Sequence, residues 1–430
     1  MAQFIIEGGH PLNGEVEVGG NKNAVLKLMA ACLLTDEPMT LTNVPAIGDV
    51  RVMLDILRGL GAAADWTGER RLLIHAHNLH THKVNPALAA KMRASIVLAG
   101  ALLGRLGAVE LAPPGGDMIG RRRLDTHVIA LQKLGASIDA GSGFSMNADG
   151  LRGAEIVLDE ASVTATENAI MAAALARGTS VIHNAACEPH VQDLCRMIVK
   201  MGGQIDGIGS NRITIQGVEK LGGCEFRVGA DYLEVGSYIG AAAVTGGEVR
   251  IKRADPQHLT MIDLVLRRLG VNLLVEGEDV LIRRGQPLAI LPDLGNRIPT
   301  IKAQPWPAFP SDLLSVMLLI ATQSAGAVLF HEWMYDGRLY FTDRLVSMGA
   351  RIVLCDPHRA LVQGPTALRG GLTISSPDIR AGITLLLAAL CARGVTTIGN
   401  VEHIDRGYEH IEAKLTRLGA VIERVQDERG

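Results

Sequence analysis

A short phrase that recurs along the chain restricts the possible folds more than any other feature. The phrase is Leu or Met, then Gly, then a small residue, and its copies are spaced by roughly 70 residues. Its six glycines are Gly61, Gly135, Gly202, Gly270, Gly349 and Gly419. Each copy ends a segment of helical period, where glycine can adopt the left-handed conformation that closes a helix. A β-rich stretch follows each one.

An alanine-rich apolar segment, a short turn and a predicted strand precede each phrase, as in AIMAAALARGTSVIHNA. These segments are apolar on nearly all sides, so we expect their helices to be buried rather than amphipathic. Each repeat therefore has the order strand, buried helix, strand, surface helix, strand. Six repeats in two groups of three predict an α/β chain with two similar domains of βαβαβ-type units.

Length and composition agree with two packed domains and exclude several functions. A chain of 430 residues exceeds one ordinary core, and 48% hydrophobic with 20% charged residues is typical of a globular protein. A net charge of −3 and 3% aromatic residues argue against nucleic acid or an anionic membrane as partner. The apolar stretches are too short to span a bilayer and the N-terminus has no signal pattern, so we expect a cytoplasmic protein.

Three predicted buried helices begin with a cation, namely Lys22, Arg93 and Arg380. A cation at a helix N-terminus opposes the helix dipole, and a bound polyanion would explain it. The free backbone N–H groups at such positions also bind anions. The sequence therefore predicts an anion-binding site.

Three loops carry the residues best suited to that chemistry. Residues 19–23 (GGNKN) combine glycines, which permit close backbone approach, with the point charge of Lys22. Residues 113–123 (PPGGDMIGRRR) end in three arginines, whose guanidinium groups match phosphate and carboxylate oxygens. Residues 403–409 (HIDRGYE) form a dense charged loop before the last predicted helix.

Over essentially its whole length, the chain resembles the UDP-N-acetylglucosamine 1-carboxyvinyltransferase family. The resemblance depends on these loops and on five further motifs that occur in the same order, namely MRAS, LDTH, SVTATEN, FPSD and HIDRGYEHIEAKLTRLGA. The related shikimate-pathway enzymes typically have Ser where this chain has Asn23. The resemblance implies two inside-out α/β domains with the active site in the cleft between them. The first domain would span residues 21–229, and the second residues 1–20 plus 230–430.

The resemblance also implies an activity and a set of site residues. The activity is transfer of enolpyruvyl from phosphoenolpyruvate to the 3-hydroxyl of UDP-N-acetylglucosamine, the first committed step of peptidoglycan synthesis, without cofactor or metal. Lys22, Arg122 and Arg406 would hold phosphoenolpyruvate, and Asn23 and Asp312 would face the acceptor. Asp312 would take the hydroxyl proton. The residues expected at the nucleotide are Arg93, His127, Ser162, Val163 and Thr164. Asp378 and Arg380 are expected near the reacting carbon, and Arg338 at a further basic position of the cleft.

One departure from the family pattern concerns the proposed general acid. Asp117 stands where many members have the cysteine that protonates C3 and is alkylated by fosfomycin. An aspartic acid can donate that proton only if its pKa is raised well above about 3.9, as burial under a closed loop would do. Because a carboxylate is a poorer nucleophile than a thiolate, the sequence predicts insensitivity to fosfomycin.

Other departures leave the acceptor open. Tyr232, Arg123 and Thr164 replace the arginine, proline and glycine common in the family, and residues 291–300 resemble an insertion. An enolpyruvyl transferase acting on another nucleotide, or a catalytically retired UDP-sugar-binding regulator, remains an alternative. The presence of Lys22 and Asp312 argues against the retired form. A repeat scaffold for protein partners would need an exposed apolar or aromatic stripe, which the low aromatic content disfavours.

Four histidines at nearly alternate positions suggest a metal site, but no acidic or cysteine ligand accompanies them. They are His75, His77, His80 and His82. We interpret this stretch as an exposed edge strand. No metal is expected.

Overall fold

The computed structural model describes residues 2–116, 120, 122–141 and 143–426. The strands are β1 Ala2–Glu7, β2 Asn13–Glu17, β3 Met39–Thr42, β4 Ala63–Gly68, β5 Arg71–His75, β6 Ala108–Leu111, β7 Ser137–Asp139, β8 Phe144–Asn147, β9 Glu155–Val157, β10 Thr179–His183, β11 Gln204–Asp206, β12 Arg212–Gln216, β13 Glu225–Arg227, β14 Glu248–Lys252, β15 Leu274–Glu276, β16 Asp279–Ile282, β17 Thr300–Lys302, β18 Gly326–His331, β19 Arg351–Asp356, β20 Arg359–Gly364, β21 Thr373–Ser375, β22 Val395–Gly399 and β23 Val421–Gln426. The helices are α1 Lys22–Ala31, α2 Gly48–Leu60, α3 Pro86–Ala89, α4 Leu98–Leu106, α5 Asp125–Lys133, α6 Val163–Ala174, α7 Pro189–Lys200, α8 Tyr232–Thr245, α9 Thr260–Arg268, α10 Leu314–Gln323, α11 Thr342–Ser347, α12 Ile379–Cys391, α13 Glu402–Asp405 and α14 Ile411–Arg417. Short 3-10 turns cover Cys32–Leu34, Arg93–Val97, Pro256–His258 and Ser311–Leu313.

The described chain forms two compact units, and each contains three sheets. Residues 20–116 and 122–229 form one unit, with strand orders β13-β3-β5-β4, β6-β8-β7 and β11-β12-β10-β9. Residues 2–19 and 230–426 belong to the other, with strand orders β15-β16-β14-β2, β17-β18-β20-β19 and β21-β22-β1-β23. Six sheets for six repeats confirm the predicted fold class.

The repeats contain one strand more than the sequence predicted. In the β17 sheet, β17 and β18 are parallel, and β18 then pairs with the antiparallel hairpin of β19 and β20. The stretch after the surface helix is thus a hairpin rather than a single strand. Its tight turn leaves too few polar residues between the two strands for the sequence pattern to separate them.

The apolar helices lie at the centre of each unit, as predicted. Helices α8, α10 and α12 pack against one another, and nearly all their residues are buried. Strands such as β14 and β20 alternate buried and more exposed residues. Helices inside and sheets outside are the inside-out arrangement, and a helix that is apolar all round requires it.

All six repeat glycines adopt the predicted left-handed conformation. Their φ angles lie between 80° and 108°. A residue with a Cβ atom would be strained there, so glycine allows each surface helix to end and the chain to turn into the hairpin.

The interpretation of the histidine stretch as an edge strand was wrong. β5 ends at His75 and lies between β3 and β4, while His77, His80 and His82 follow in the loop. The apolar residues Leu72 and Ile74 are fully buried in this strand and place it inside the sheet. No group of three or more potential metal ligands occurs within residues 2–116, 120, 122–141 and 143–426. In the same described ranges, no helix is long and apolar enough to cross a membrane.

A buried ion pair lies inside the first of these units. Lys27 on α1 and Glu167 on α6 are both buried, with Nζ 3.5 Å from Oε2. Neither carboxylate oxygen has a hydrogen-bond partner among the described residues. Burial raises the pKa of Glu167 to about 8, and the charge of Lys27 only partly opposes this.

We expect the Glu167→Gln variant to lose less stability than the wild type as the pH rises from about 5 to about 8. The pKa of Glu167 in the folded protein exceeds its unfolded value of about 4.3. Its stabilising contribution to the free energy of unfolding is therefore fully present below about pH 4.3 and is lost as the pH rises towards about 8. Thermal unfolding should show a melting-temperature difference in favour of the glutamine variant that grows from pH 5 to pH 8.5. The exposed Glu225→Gln is the control, and an unchanging difference for Glu167→Gln would contradict the expectation.

Candidate active site

Lys22 lies at the start of α1 with a carboxylate beside it. The side chain of Asn21 caps this helix by accepting from the N–H of Ala24, and Asn23 is the second helical residue. Lys22 is buried, and its Nζ lies 2.8 Å from Oδ2 of Asp49. Asp49 lies in the first turn of α2, where the helix dipole also stabilises an anion.

The cation that opposes the dipole of α1 is therefore balanced by a protein carboxylate. The sequence alone did not identify Asp49 as a site residue. In sequence it looks like an ordinary acidic residue of a first turn, so only the packing of α2 near α1 identifies it. The pair gives the buried lysine an acidic partner.

Arg93 holds the backbone of the arginine loop. It begins the turn Arg93–Val97, and its Nη2 donates to the carbonyl oxygens of Arg122 at 2.7 Å and Arg123 at 3.3 Å. Arg122 is half-buried, whereas Arg123 is exposed and pairs with Asp159 at 2.9 Å. Two predicted site arginines thus come together, and the unusual Arg123 has a protein partner.

His127 is enclosed by protein, with the amide of Asn168 on one side of its ring and Thr164 on the other. Oδ1 of Asn168 accepts from the N–H of Gly100 at 2.7 Å, and its Nδ2 donates to the carbonyl of Ile96 at 2.9 Å. The same Nδ2 lies 2.8 Å from Nδ1 of His127 and must donate to it. The ring proton is therefore on Nε2, which lies 3.1 Å from Oγ1 of Thr164.

His127, predicted at the nucleotide, lies inside the protein in contact with two residues of α6. Its ring is 2% exposed, and both nitrogens are used by Asn168 and Thr164. Burial lowers the pKa of His127 to about 3, with a smaller contribution from the charge of Arg93, so the ring is neutral. Thr164 accepts from the ring, and its own hydroxyl proton is left to point elsewhere. Ser162 and Val163 are the N-cap and first residue of the same helix, α6.

We expect Thr164→Val to destabilise the protein. Valine has the shape of threonine but leaves the buried N–H of His127 without an acceptor, which costs about 1–3 kcal/mol. Chemical denaturation should show a lower free energy of unfolding for Thr164→Val and a nearly unchanged one for Thr164→Ser. Equal values for the two variants would contradict the hydrogen-bond assignment.

Asp312 is held between two guanidinium groups. It lies in the turn Ser311–Leu313 that leads into α10. Its Oδ1 accepts from Nη2 of Arg338 at 2.7 Å, and its Oδ2 lies 3.0 Å from Nε and Nη2 of Arg380. Burial alone would raise the pKa of Asp312, but these two cations hold it well below its usual range. Asp312 is therefore ionised, as a proton acceptor must be.

The partners of Asp312 are fixed by α12 and by the loop after β18. Oδ1 of Asp378 caps α12 by accepting from the N–H groups of Arg380 and Ala381 at 2.7 and 2.9 Å. Asp378 thus has a structural task that the sequence prediction did not give it. Arg338 is buried, and its Nε has no hydrogen-bond partner among the described residues.

The remaining predicted residues have simpler positions. Arg406 follows α13 and is half-buried. Asp117 lies outside the described residues. Tyr232 begins α8 and is buried, with its ring 5.6 Å from that of Trp306. Within residues 291–300, Asp293 and Arg297 form a narrow bridge that leaves Leu294 exposed.

Comparisons with known proteins identify the family of the chain. Residues 6–415 match the family described as EPSP synthase (3-phosphoshikimate 1-carboxyvinyltransferase). A UDP-N-acetylglucosamine 1-carboxyvinyltransferase from Bradyrhizobium diazoefficiens is 51% identical over 99% of this chain and 98% of its own length. The protein of the same name from Treponema denticola is 50% identical over 98% and 99%.

Solved structures show the same fold. The enolpyruvyl transferase NikO from Streptomyces tendae has a TM-score of 0.88 at 24% identity and covers 99% of both chains. EPSP synthase from Acinetobacter baumannii has a TM-score of 0.77 at 19% identity, over 99% of this chain and 100% of its own. The chain belongs to the EPSP synthase family of carboxyvinyltransferases. Its relatives at about half identity carry the name UDP-N-acetylglucosamine 1-carboxyvinyltransferase.

Proposed function

We propose that the chain transfers the enolpyruvyl group of phosphoenolpyruvate to the 3-hydroxyl of UDP-N-acetylglucosamine and releases phosphate. The observation that carries this proposal is the ionised Asp312 between Arg338 and Arg380. A carboxylate there can accept a hydroxyl proton, while the guanidinium groups attract the anionic substrates. Full-length relatives of that name support the choice of acceptor.

The reaction has two stages, and both depend on proton transfer. In the first stage, the oxygen of the sugar hydroxyl attacks C2 of phosphoenolpyruvate while Asp312 takes the hydroxyl proton. A general acid protonates C3. The resulting tetrahedral ketal then loses the C3 proton and phosphate, which leaves the enolpyruvyl ether. Lys22, Arg122 and Arg406 would balance the charge of the phosphate and carboxylate.

We assign the general acid to Asp117 on the basis of the sequence. An aspartic acid in this role keeps the proton transfer but lacks the thiolate that opens the epoxide of fosfomycin. Insensitivity to fosfomycin therefore belongs to the same proposal. A cytoplasmic role in the first committed step of peptidoglycan synthesis, and thus in cell-wall formation, cell shape and division, follows from the proposed product.

The acceptor side is proposed to use the residues grouped around α6. Arg93 and His127 are assigned to the nucleotide, and they also contact the backbone of Arg122 and the hydroxyl of Thr164. Ser162, Val163 and Thr164 are assigned to the nucleotide, and the first N–H groups of α6, at Val163 and Thr164, would face its phosphates. Asn23 and Asp312 are assigned to the sugar, and Asp378 orients Arg380.

Phosphate release tests the proposal directly. Purified protein is incubated with phosphoenolpyruvate alone, with UDP-N-acetylglucosamine, and with shikimate 3-phosphate as the family's alternative acceptor. Release that depends on UDP-N-acetylglucosamine is expected. Phosphate release with shikimate 3-phosphate only would overturn the proposal that UDP-N-acetylglucosamine is the acceptor. Binding of UDP-N-acetylglucosamine without any release would favour the retired regulator.

A further inference from the structure

Glu332 is a buried acid outside the predicted site, and both its main chain and its side chain form hydrogen bonds. It directly follows β18 and is 0% exposed. Its main-chain N–H donates to the carbonyl of His358 at 2.7 Å. Its own carbonyl oxygen lies 2.7 Å from Nδ1 of the same histidine. The backbone at Glu332 therefore has little freedom.

The carboxylate of Glu332 joins two segments of the chain. Oε1 accepts from the N–H of Met334 at 2.8 Å, at the start of the loop that leads to Arg338. Oε2 accepts a short hydrogen bond from Oγ of Ser311, the residue before Asp312. Burying a carboxylate costs free energy unless hydrogen bonds compensate it, and these two bonds use one oxygen each.

The Glu332 side chain thus contacts the turn that carries Asp312 and the start of the loop that leads to Arg338. Ser311 and Asp312 share a turn of three residues, so a shift of Ser311 moves Asp312 directly. Arg338 follows the loop that Glu332 begins and binds Asp312 at 2.7 Å. Displacing a catalytic group by about 1 Å can cost 10²-fold in rate.

We propose that Glu332 is a positioning residue that sets the orientation of Asp312 and Arg338 for removal of the acceptor proton. This inference rests on the proposed function. Glu332 touches neither substrate in this scheme, because it is fully buried and both of its oxygens are engaged by Ser311 and Met334. It acts through the hydroxyl of Ser311 and through the loop to Arg338.

The experiment compares four variants with the wild type in the phosphate-release assay. They are Glu332→Gln, Ser311→Ala, the double variant, and Ser324→Ala as the matched control. Ser324 is a buried serine at the far end of α10 that donates to main-chain carbonyls of Leu269 and Ile320. Ser311→Ala also serves as the milder test if Glu332→Gln lowers the yield of folded protein.

We expect Glu332→Gln and Ser311→Ala each to lower kcat by about 10- to 100-fold, up to the loss that a displacement of about 1 Å can cause. KM for both substrates should change by less than about twofold, because ground-state binding is kept. The double variant should be no slower than the slower single variant, because both changes break the same bond. Ser324→Ala should keep the wild-type kcat.

The outcomes separate this inference from the proposed function. An inactive wild type would overturn the proposed function and with it this assignment. An active wild type with Glu332→Gln and Ser311→Ala within about twofold of its kcat would overturn the positioning role alone. Multiplicative losses in the double variant, or equal loss in Ser324→Ala, would also overturn it, since they indicate general destabilisation.

Discussion

Asp312→Asn is expected to lower kcat by about 10²- to 10⁴-fold, the range that general base catalysis contributes. Asparagine cannot accept the hydroxyl proton, and it also removes the negative charge between Arg338 and Arg380. Steady-state phosphate release gives kcat, and calorimetry of UDP-N-acetylglucosamine binding shows whether the nucleotide still binds. Asp343→Asn, an exposed acid on α11 that pairs with Arg344, should behave like the wild type.

The same substitution has an expected signature in stability. The pKa of Asp312 in the folded protein lies below its unfolded value of about 3.9. Its stabilising contribution to the free energy of unfolding is therefore present above that pH and is lost as the pH falls. The difference in melting temperature between wild type and Asp312→Asn should therefore be constant near neutral pH and shrink below about pH 4. A kcat within tenfold of the wild type would remove Asp312 from the role of base.

Asp117→Cys is expected to convert a fosfomycin-insensitive enzyme into a sensitive one. A thiol can replace the carboxylic acid as proton donor and, as thiolate, can open the epoxide ring. Activity of the cysteine variant should fall with time of exposure to fosfomycin, whereas the wild type should keep its activity. Asp117→Asn, which can neither donate nor label, should lose about 10²- to 10⁴-fold in kcat without fosfomycin.

A control removes the other accessible thiol. Cys355 is exposed and could react independently, so the labelling is repeated with Cys355→Ser in both backgrounds. Mass spectrometry should locate the adduct on the peptide that contains position 117 in the cysteine variant only. Rapid loss of wild-type activity with an adduct on Asp117 would contradict the proposed insensitivity.

The inner arrangement of the site could be predicted from the sequence only in part. Lys22, Arg93 and Arg380 stood out because a cation at a helix start opposes the dipole, which is a local property. Their partners Asp49, the carbonyl of Arg122, and Asp312 are distant in sequence or unremarkable in type. No local pattern shows that a first-turn aspartate faces a lysine 27 positions earlier in the chain.

His127 shows the same limit more sharply. The resemblance assigned its ring to the nucleotide, but Asn168 and Thr164 use both nitrogens. The direction of these hydrogen bonds is fixed by Gly100 and Ile96, which belong to the same repeat as His127, through Asn168 of the repeat that follows. Glu332 escaped notice for a similar reason, because a single acid after an apolar strand has no distinctive spacing.

By itself the sequence determined the architecture: six repeats, buried apolar helices, and left-handed glycines that end the surface helices. These features depend on periodicity and on the conformational freedom of single residues, which short segments express alone. Only the tertiary structure decided which charges pair, which tautomer His127 adopts, and which acid supports Asp312. Those outcomes depend on burial and on atoms brought within 3 Å or so by packing between repeats, and hydrogen bonds and ion pairs are set by such distances.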